Sequence, residues 1–285
     1  MKIAFWSPMH GTGATANLMA LMLAIAEDSD RSVLLTQTHY CMNDLEGPLV
    51  AGLKGADRED YFTDMGIDAL LKYYKSGMLS KEILESCATE ITDRISLLAG
   101  TRQCSRTAFE NGMVSRIVER IFDASEEFYD WVVIDTNSGF SQTSTSILKD
   151  ADIVVVTLRQ NRALLDELFR NEEFLGIDND RVFYIFGSYD PDSKYTLNNL
   201  KHIYRNISSA NSAGLPHCTG YMDALCDRRA AGYIRSGLND PERSDREFFS
   251  ALKEASKKLV SMTEKAVKAA RTAKTAKTAK AGRSA

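Results

Sequence analysis

Ile3-Ala-Phe-Trp6, then Ser7-Pro-Met-His-Gly-Thr-Gly13, then the run from Thr15 to Glu27 is the stretch whose reading decides the fold. Four apolar residues without polar alternation read as a strand covered on both faces. A Pro/Gly turn follows, and Leu18, Met19, Met22, Leu23 and Ile25 then give a helix with a broad apolar face. A strand, a glycine turn and a helix in that order aim backbone N–H groups and the positive helix end at one point, where phosphate binds without needing any particular side chain. The complete phosphate loop adds a lysine for the β/γ-phosphates and a Ser/Thr hydroxyl for Mg²⁺. Here Gly11, Gly13 and Thr15 are in place, while Ala14 stands where the lysine belongs. On the glycines alone, a bare turn joining a strand to a helix, with no ligand, is an equally good reading.

Outward from this stretch, short apolar runs alternate with helical patterns. Ser32–Thr36, Arg94–Leu98, Trp131–Asp135, Ile153–Leu158 and Arg181–Phe186 read as strands. Gly66–Lys75, Ser80–Thr89, Met113–Phe128, Leu197–Ile207 and Arg246–Thr263 read as helices. Strands alternating with helices predict right-handed crossovers and an α/β fold, a mostly parallel sheet flanked by helices on both faces. The expected organisation is one α/β domain over residues 1–263 and a flexible, basic, low-complexity Lys/Ala/Thr tail over 264–285, either an extension of the last helix or disordered.

The 285 residues are 44% hydrophobic and 26% charged, an ordinary globular balance. The net charge of −4 is unevenly spread. The tail carries Lys265, Lys268, Arg271, Lys274, Lys277, Lys280 and Arg283 against Glu264, so the body before it is distinctly acidic. Five scattered cysteines without a CxxC pair suit reduced thiols and argue against a metal cluster. The longest apolar stretch, Leu18 to Ala26, falls far short of the roughly 20 residues of a membrane span. The expectation is a soluble cytoplasmic protein without a transmembrane segment. The tail reads either as an inert solvated extension or as a salt-sensitive, sequence-independent contact with nucleic acid. With Val267 as its one large apolar residue, the tail is unlike an amphipathic membrane anchor.

Met9-His-Gly-Thr-Gly-Ala-Thr15 resembles the deviant phosphate loop Lys-Gly-Gly-x-Gly-Lys-Thr of the ParA/MinD family. Trp131-Val-Val-Ile-Asp-Thr-Asn-Ser-Gly139 resembles its hhhhDxxxG segment, Ala151-Asp-Ile-Val-Val-Val156 its Ala-Asp strand entry, and Leu215-Pro-His217 its late Ile-Pro turn. The order and spacing agree over roughly residues 1–260. Asn43-Asp44-Leu45 is most similar to the pilus-localisation branch of the TadZ/CpaE type. The resemblance implies ATP or ADP with Mg²⁺ bound by His10, Gly11, Thr12, Gly13, Ala14, Thr15, Ala16 and Gly139. It implies Thr15 and Asp135 at the Mg²⁺, directly or through water, with Asp135 as the catalytic candidate. It also implies a homodimer, and a partner in a pilus, secretion or partition system.

The departures bear on activity. Ala14 replaces the loop lysine, and Met9 replaces the signature lysine that in the family reaches across a dimer. Gln37 and His39 fall where the family has an Asp-x-Asp pair, and Gly187 and Ser188 where an adenine-contacting Asn is usual. Hydrolysis is therefore expected to be lost sooner than binding. Three readings stay open: a nucleotide-binding positioning factor with little hydrolysis, a working ATPase with a replacement cation (Arg102, Arg159 or Arg162), and a scaffold with an empty loop.

Overall fold

Val, Ile and Leu dominate the strands β1 (Lys2–Trp6), β2 (Val33–Gln37), β5 (Trp131–Asp135) and β6 (Ile153–Leu158), and every residue of these strands is buried. Such runs are stable only with helices on both faces of the sheet. The computed structural model describes residues 1–39, 45–50, 65–101, 113–170 and 176–281. The remaining strands are β3 (Thr89–Thr92), β4 (Ile95–Leu98), β7 (Val182–Tyr189) and β8 (Ser212–Pro216). All eight lie in one sheet in the order β3-β4-β2-β5-β1-β6-β7-β8. Every pairing is parallel except β3 with β4 at one edge.

Among the described residues there are eleven helices. These are α1 (Ala14–Asp28), α2 (Glu46–Leu49), α3 (Gly66–Lys75), α4 (Lys81–Cys87), α5 (Met113–Ser125), α6 (Gln142–Asp150), α7 (Arg162–Arg170), α8 (Leu197–Ile203), α9 (Thr219–Cys226), α10 (Ala230–Asn239) and α11 (Arg246–Ala281). The period-2 alternation of the strands sorts the core into two halves. Ile3, Phe5, Val133 and Val155 pack with α1, α9, α10 and α11. Ala4, Trp6, Ile134 and Val154 pack with α3 to α8. Polar side chains start several helices, with Ser80, Ser141 and Thr196 accepting from the N–H three residues on.

Register places the site. Asp135, the last residue of β5, lies opposite Phe5 on one side and Gln37 on the other. Its side chain therefore emerges between the loop after β1 and the turn after β2, at the carboxyl edge where open α/β sheets bind ligands.

The structure corrects one reading of the sequence and bears on another. The helix expected over Ser80–Thr89 stops at Cys87, and the chain turns into the antiparallel edge strand β3. Of the two alternatives for the tail, the backbone follows the extension of the last helix, since α11 runs past Thr263 as far as Ala281. Ala and Lys are strong helix formers, which lets the helix run on without an apolar face to bury.

Helix α10 approaches α11 closely at Gly237. A Cβ there would meet Cζ of the buried Phe249 ring at 1.9 Å, whereas nothing lies within 4 Å of a Cβ at Gly232 of the same helix. Gly237→Ala is expected to destabilise the protein by about 1–3 kcal/mol through overpacking. Gly232→Ala is expected to stabilise it by up to about 1 kcal/mol through helix propensity. Urea unfolding of the two variants checks the opposite signs, and equal effects would contradict the α10–α11 contact.

Candidate functional site

The turn between β1 and α1 is closed by its own side chains. Thr12 Oγ1 donates to Ser7 Oγ at 2.7 Å, and Ser7 Oγ donates to the Met9 carbonyl at 2.8 Å. Gly11 and Gly13 adopt φ of 79° and 87°, the left-handed region that a side chain disfavours. Gly13 occupies the cap position of α1 and contributes no side-chain bond. The first-turn N–H groups of α1, which lack intrahelical partners, are thus left without a side-chain cap. This is the backbone half of an anion cradle.

Asp135 is fully buried beside it. Thr15 Oγ1 donates to Asp135 Oδ2 at 2.6 Å, and His39 Nε2 stands 3.4 Å from the same oxygen. Asp135 Oδ1 is buried without a hydrogen-bond partner. The backbone around it is fixed, because Thr38 N donates to the Asp135 carbonyl at 2.9 Å and Thr136 Oγ1 donates to the Phe5 carbonyl at 2.7 Å. Gly139 joins from the next turn, its N–H on the Ser7 carbonyl at 2.9 Å and its carbonyl accepting from Trp6 Nε1 at 2.8 Å.

Over the loop lies a pocket of about 610 Å³, lined by residues 10–16, Met19, His39, Gly47 and Pro48 of α2, Ser138, and Met222, Leu225 and Cys226 of α9. That volume suits a small-molecule ligand. Tyr221 of α9 hydrogen-bonds the Ala16 carbonyl at 2.8 Å, fixing this wall to the start of α1.

His10, Gly11, Thr12, Gly13, Ala14, Thr15 and Ala16 therefore line one cavity, with Asp135 hydrogen-bonded beneath it and Gly139 alongside. Met9 is 46% exposed outside the pocket. Gln37 does not face the cavity. Its amide donates at 3.0 Å to the buried Glu46 of α2, whose carboxylate also takes the Gly100 N–H at 2.8 Å. Gly187 has a packing role, since a Cβ there would sit 2.8 Å from the Thr12 carbonyl. Of the three candidate cations, Arg162 is held by both carboxylate oxygens of Asp166 at 2.9 Å. Arg159 reaches the loop, its Nη2 3.4 Å from the Gly11 carbonyl. Arg102, like Asn43 and Asp44, lies outside the described residues. The walls from α2 and α9 were not visible as site residues in the sequence, because the fold alone brings them to the loop, whereas His39 stands at one of the positions of the family's Asp-x-Asp pair.

Among the described residues, no group of three or more His, Cys, Asp or Glu side chains is placed to hold a metal ion. Thr15 and Asp135 supply two hard oxygens, which suits Mg²⁺, an ion that keeps waters and takes further ligands from phosphate. The backbone cradle and the partnerless Asp135 oxygen therefore fit a Mg²⁺-bound phosphate group, and the site lacks the loop lysine that would neutralise it.

This is an α/β protein with phosphate-loop geometry at the first strand–helix turn. No protein-family model matches the chain, and no curated protein matches it in sequence. Solved structures do match its fold. A ParA family ATPase from Chlorobium tepidum superposes with a TM-score of 0.68 at 14% identity, over 90% of this chain and 98% of that one. The septum site-determining protein MinD of Pyrococcus horikoshii, complexed with Mg-ADP, gives 0.65 at 15% identity over 90% and 95%. A plasmid partition protein of Borrelia burgdorferi bound to AMPPNP gives 0.60 at 13% identity over 91% and 98%. The chain has the ParA/MinD fold.

Replacing Thr15 by Val removes the hydroxyl that serves Asp135 and leaves a second buried carboxylate oxygen less satisfied. The expected loss is about 1–3 kcal/mol of unfolding free energy. His10→Ala, at an exposed position, is expected to stay within about 0.5 kcal/mol of the parent. Guanidinium melts of both variants test this, and a neutral Thr15→Val would deny the hydrogen bond its weight.

Proposed function

We propose that this chain binds ATP or ADP with Mg²⁺, hydrolyses ATP weakly or not at all, and acts in positioning or assembling a cellular machine of the pilus, secretion or DNA partition and transfer kind. The observation that carries the proposal is the Thr15–Asp135 pair beneath an uncapped helix start, in a loop whose lysine is Ala14. The nucleotides named for two proteins of the same fold, Mg-ADP and AMPPNP, support the ligand class.

The chemistry that ATP supplies when bound is a transferable terminal phosphoryl group, and this chain's residues account for holding it better than for moving it. Backbone N–H groups from Gly11 to Ala16 would bind phosphate oxygens. Thr15 and Asp135 would hold Mg²⁺. A missing charge-assisted contact costs about 1.5–3 kcal/mol, a loss that binding can survive. Phosphoryl transfer rests almost entirely on positioning and charge neutralisation. Here Ala14 and Met9 remove two cations, and Gln37 is turned away into its bond with Glu46. Binding therefore outlasts hydrolysis. The proposal includes a homodimer, a protein partner in the machine, and nucleic-acid contact through the basic end of α11. The pilus-localisation branch rests on Asn43-Asp44-Leu45 and the divergent loop Met9–Thr15.

Thermal melting with ATP or ADP and Mg²⁺ tests the reading. Ligand at 100 times its Kd is expected to add about 2.7 kcal/mol of stability. An unmoved curve at millimolar nucleotide would favour a scaffold role instead. Ala14→Lys is expected to tighten nucleotide binding about 10- to 150-fold, the worth of one charge-assisted contact.

A further inference from the structure

We infer that Arg159 supplies the cation for the anion held at the β1–α1 loop, in place of the charge that Ala14 does not provide. The inference rests on the reading of the loop as a phosphate site and names a residue of that site. Strand β6 runs parallel to β1 with Val156 opposite Trp6, so the chain leaves β6 at Leu158 on the same edge of the sheet as the loop. Arg159 follows directly, and its guanidinium lies 3.4 Å from the carbonyl of Gly11, a residue that lines the pocket.

Three observations separate it from an ordinary surface arginine. First, among the described residues no carboxylate lies within 4.0 Å of Arg159, whereas Arg162, Arg94 and Arg235 each hold one. Second, the chain that follows it is fixed. The Gln160 side chain accepts from Asp190 N at 2.8 Å and donates to the Asp190 and Tyr195 carbonyls at 3.0 Å, and Asn161 Oδ1 caps α7 through Ala163 N at 3.1 Å. Third, among the described residues its side chain's one hydrogen bond is to a neutral carbonyl, at the long limit of such a bond. The other guanidinium donors are thus left for a ligand, and a planar fork matches a phosphate's oxygens.

An independent feature marks this place as a ligand site. Asp135 Oδ1 is fully buried, has no partner, and shares its carboxylate with Thr15 of the loop. Its oxygens suit a bridging hard cation, and a cation–phosphate pair there still needs positive charge from the protein. Arg159 is a cation already in contact with the loop. The ligand class is a di- or triphosphate anion, which a nucleotide or inorganic pyrophosphate would satisfy.

The test is calorimetric titration of the full chain with ADP, ATP and inorganic pyrophosphate in Mg²⁺, for the wild type, Arg159→Ala, Arg159→Lys, Arg162→Ala and the Ala14→Lys/Arg159→Ala double variant. Arg159→Ala is expected to weaken each ligand that the wild type binds by about tenfold or more, the worth of one charge-assisted contact. Arg162→Ala should stay within about twofold, since Asp166 already holds that side chain. The double variant should recover much of the loss, and Arg159→Lys should fall between. Pyrophosphate weakened like the nucleotides makes the phosphates the source of recognition, and loss on nucleotides alone makes the whole nucleotide the ligand. Both outcomes support the assignment. A wild type that binds while Arg159→Ala binds equally well overturns it and leaves the phosphate-site reading standing. A wild type that binds none of the three overturns both. Ligand-free melting separates a structural role: a lower melting temperature for Arg159→Ala, without recovery of binding in the double variant, also counts against the assignment.

Discussion

The 2.6 Å hydrogen bond from Thr15 to Asp135 joins the first turn of α1 to the end of β5, two places 120 residues apart in the chain. The candidate site depends on it. It holds the helix start over the carboxyl edge of the sheet and fixes which carboxylate oxygen faces the protein and which is left over. It forms because β5 lies between β1 and β2 in level register, so the residue ending β5 meets the loops that follow both neighbours. A one-residue slip would turn Asp135 into a helix-covered face, where an ionised group is not tolerated.

Backbone and side chains have parted company at this site. The features that need only backbone are present: two left-handed glycines, a helix start without a side-chain cap, and a strand end aimed at it. The loop lysine is not, and Gln37 donates to Glu46, whose carboxylate also takes the Gly100 N–H. A backbone cradle is retained because the fold itself requires that turn. A lysine is retained only by what it does for a ligand.

Much of the architecture was legible because the chemistry was local. Trp131–Asp135 and Ile153–Leu158 are β-branched runs buried on both faces, and both begin and end where the sequence places them. The helix Gly66–Lys75 agrees likewise. Elements without a strong period escaped. Helix α6 is rich in Ser and Thr, α9 and α10 carry glycines, β8 carries Gly214 and Pro216 at an edge where proline is tolerated, and β3 is short and half-exposed. In the site, the loop, Asp135 and the position of His39 were legible as motifs, whereas α2 and α9 meet the loop only through topology. One distinction was available and missed: Asp166 lies four residues after Arg162, the spacing of a helical ion pair, and that separates Arg162 from Arg159.

The continuation of α11 has a geometric consequence of its own. From Lys265 to Lys280 a basic residue recurs at every third position, and the backbone there is helical. An α-helix advances about 100° and about 1.5 Å per residue, so positions three apart are set back by about 60° and the six positions spread evenly around the axis over about 22 Å. No azimuth of the rod is favoured. The threefold spacing and the helical pitch thus give this stretch no single basic stripe.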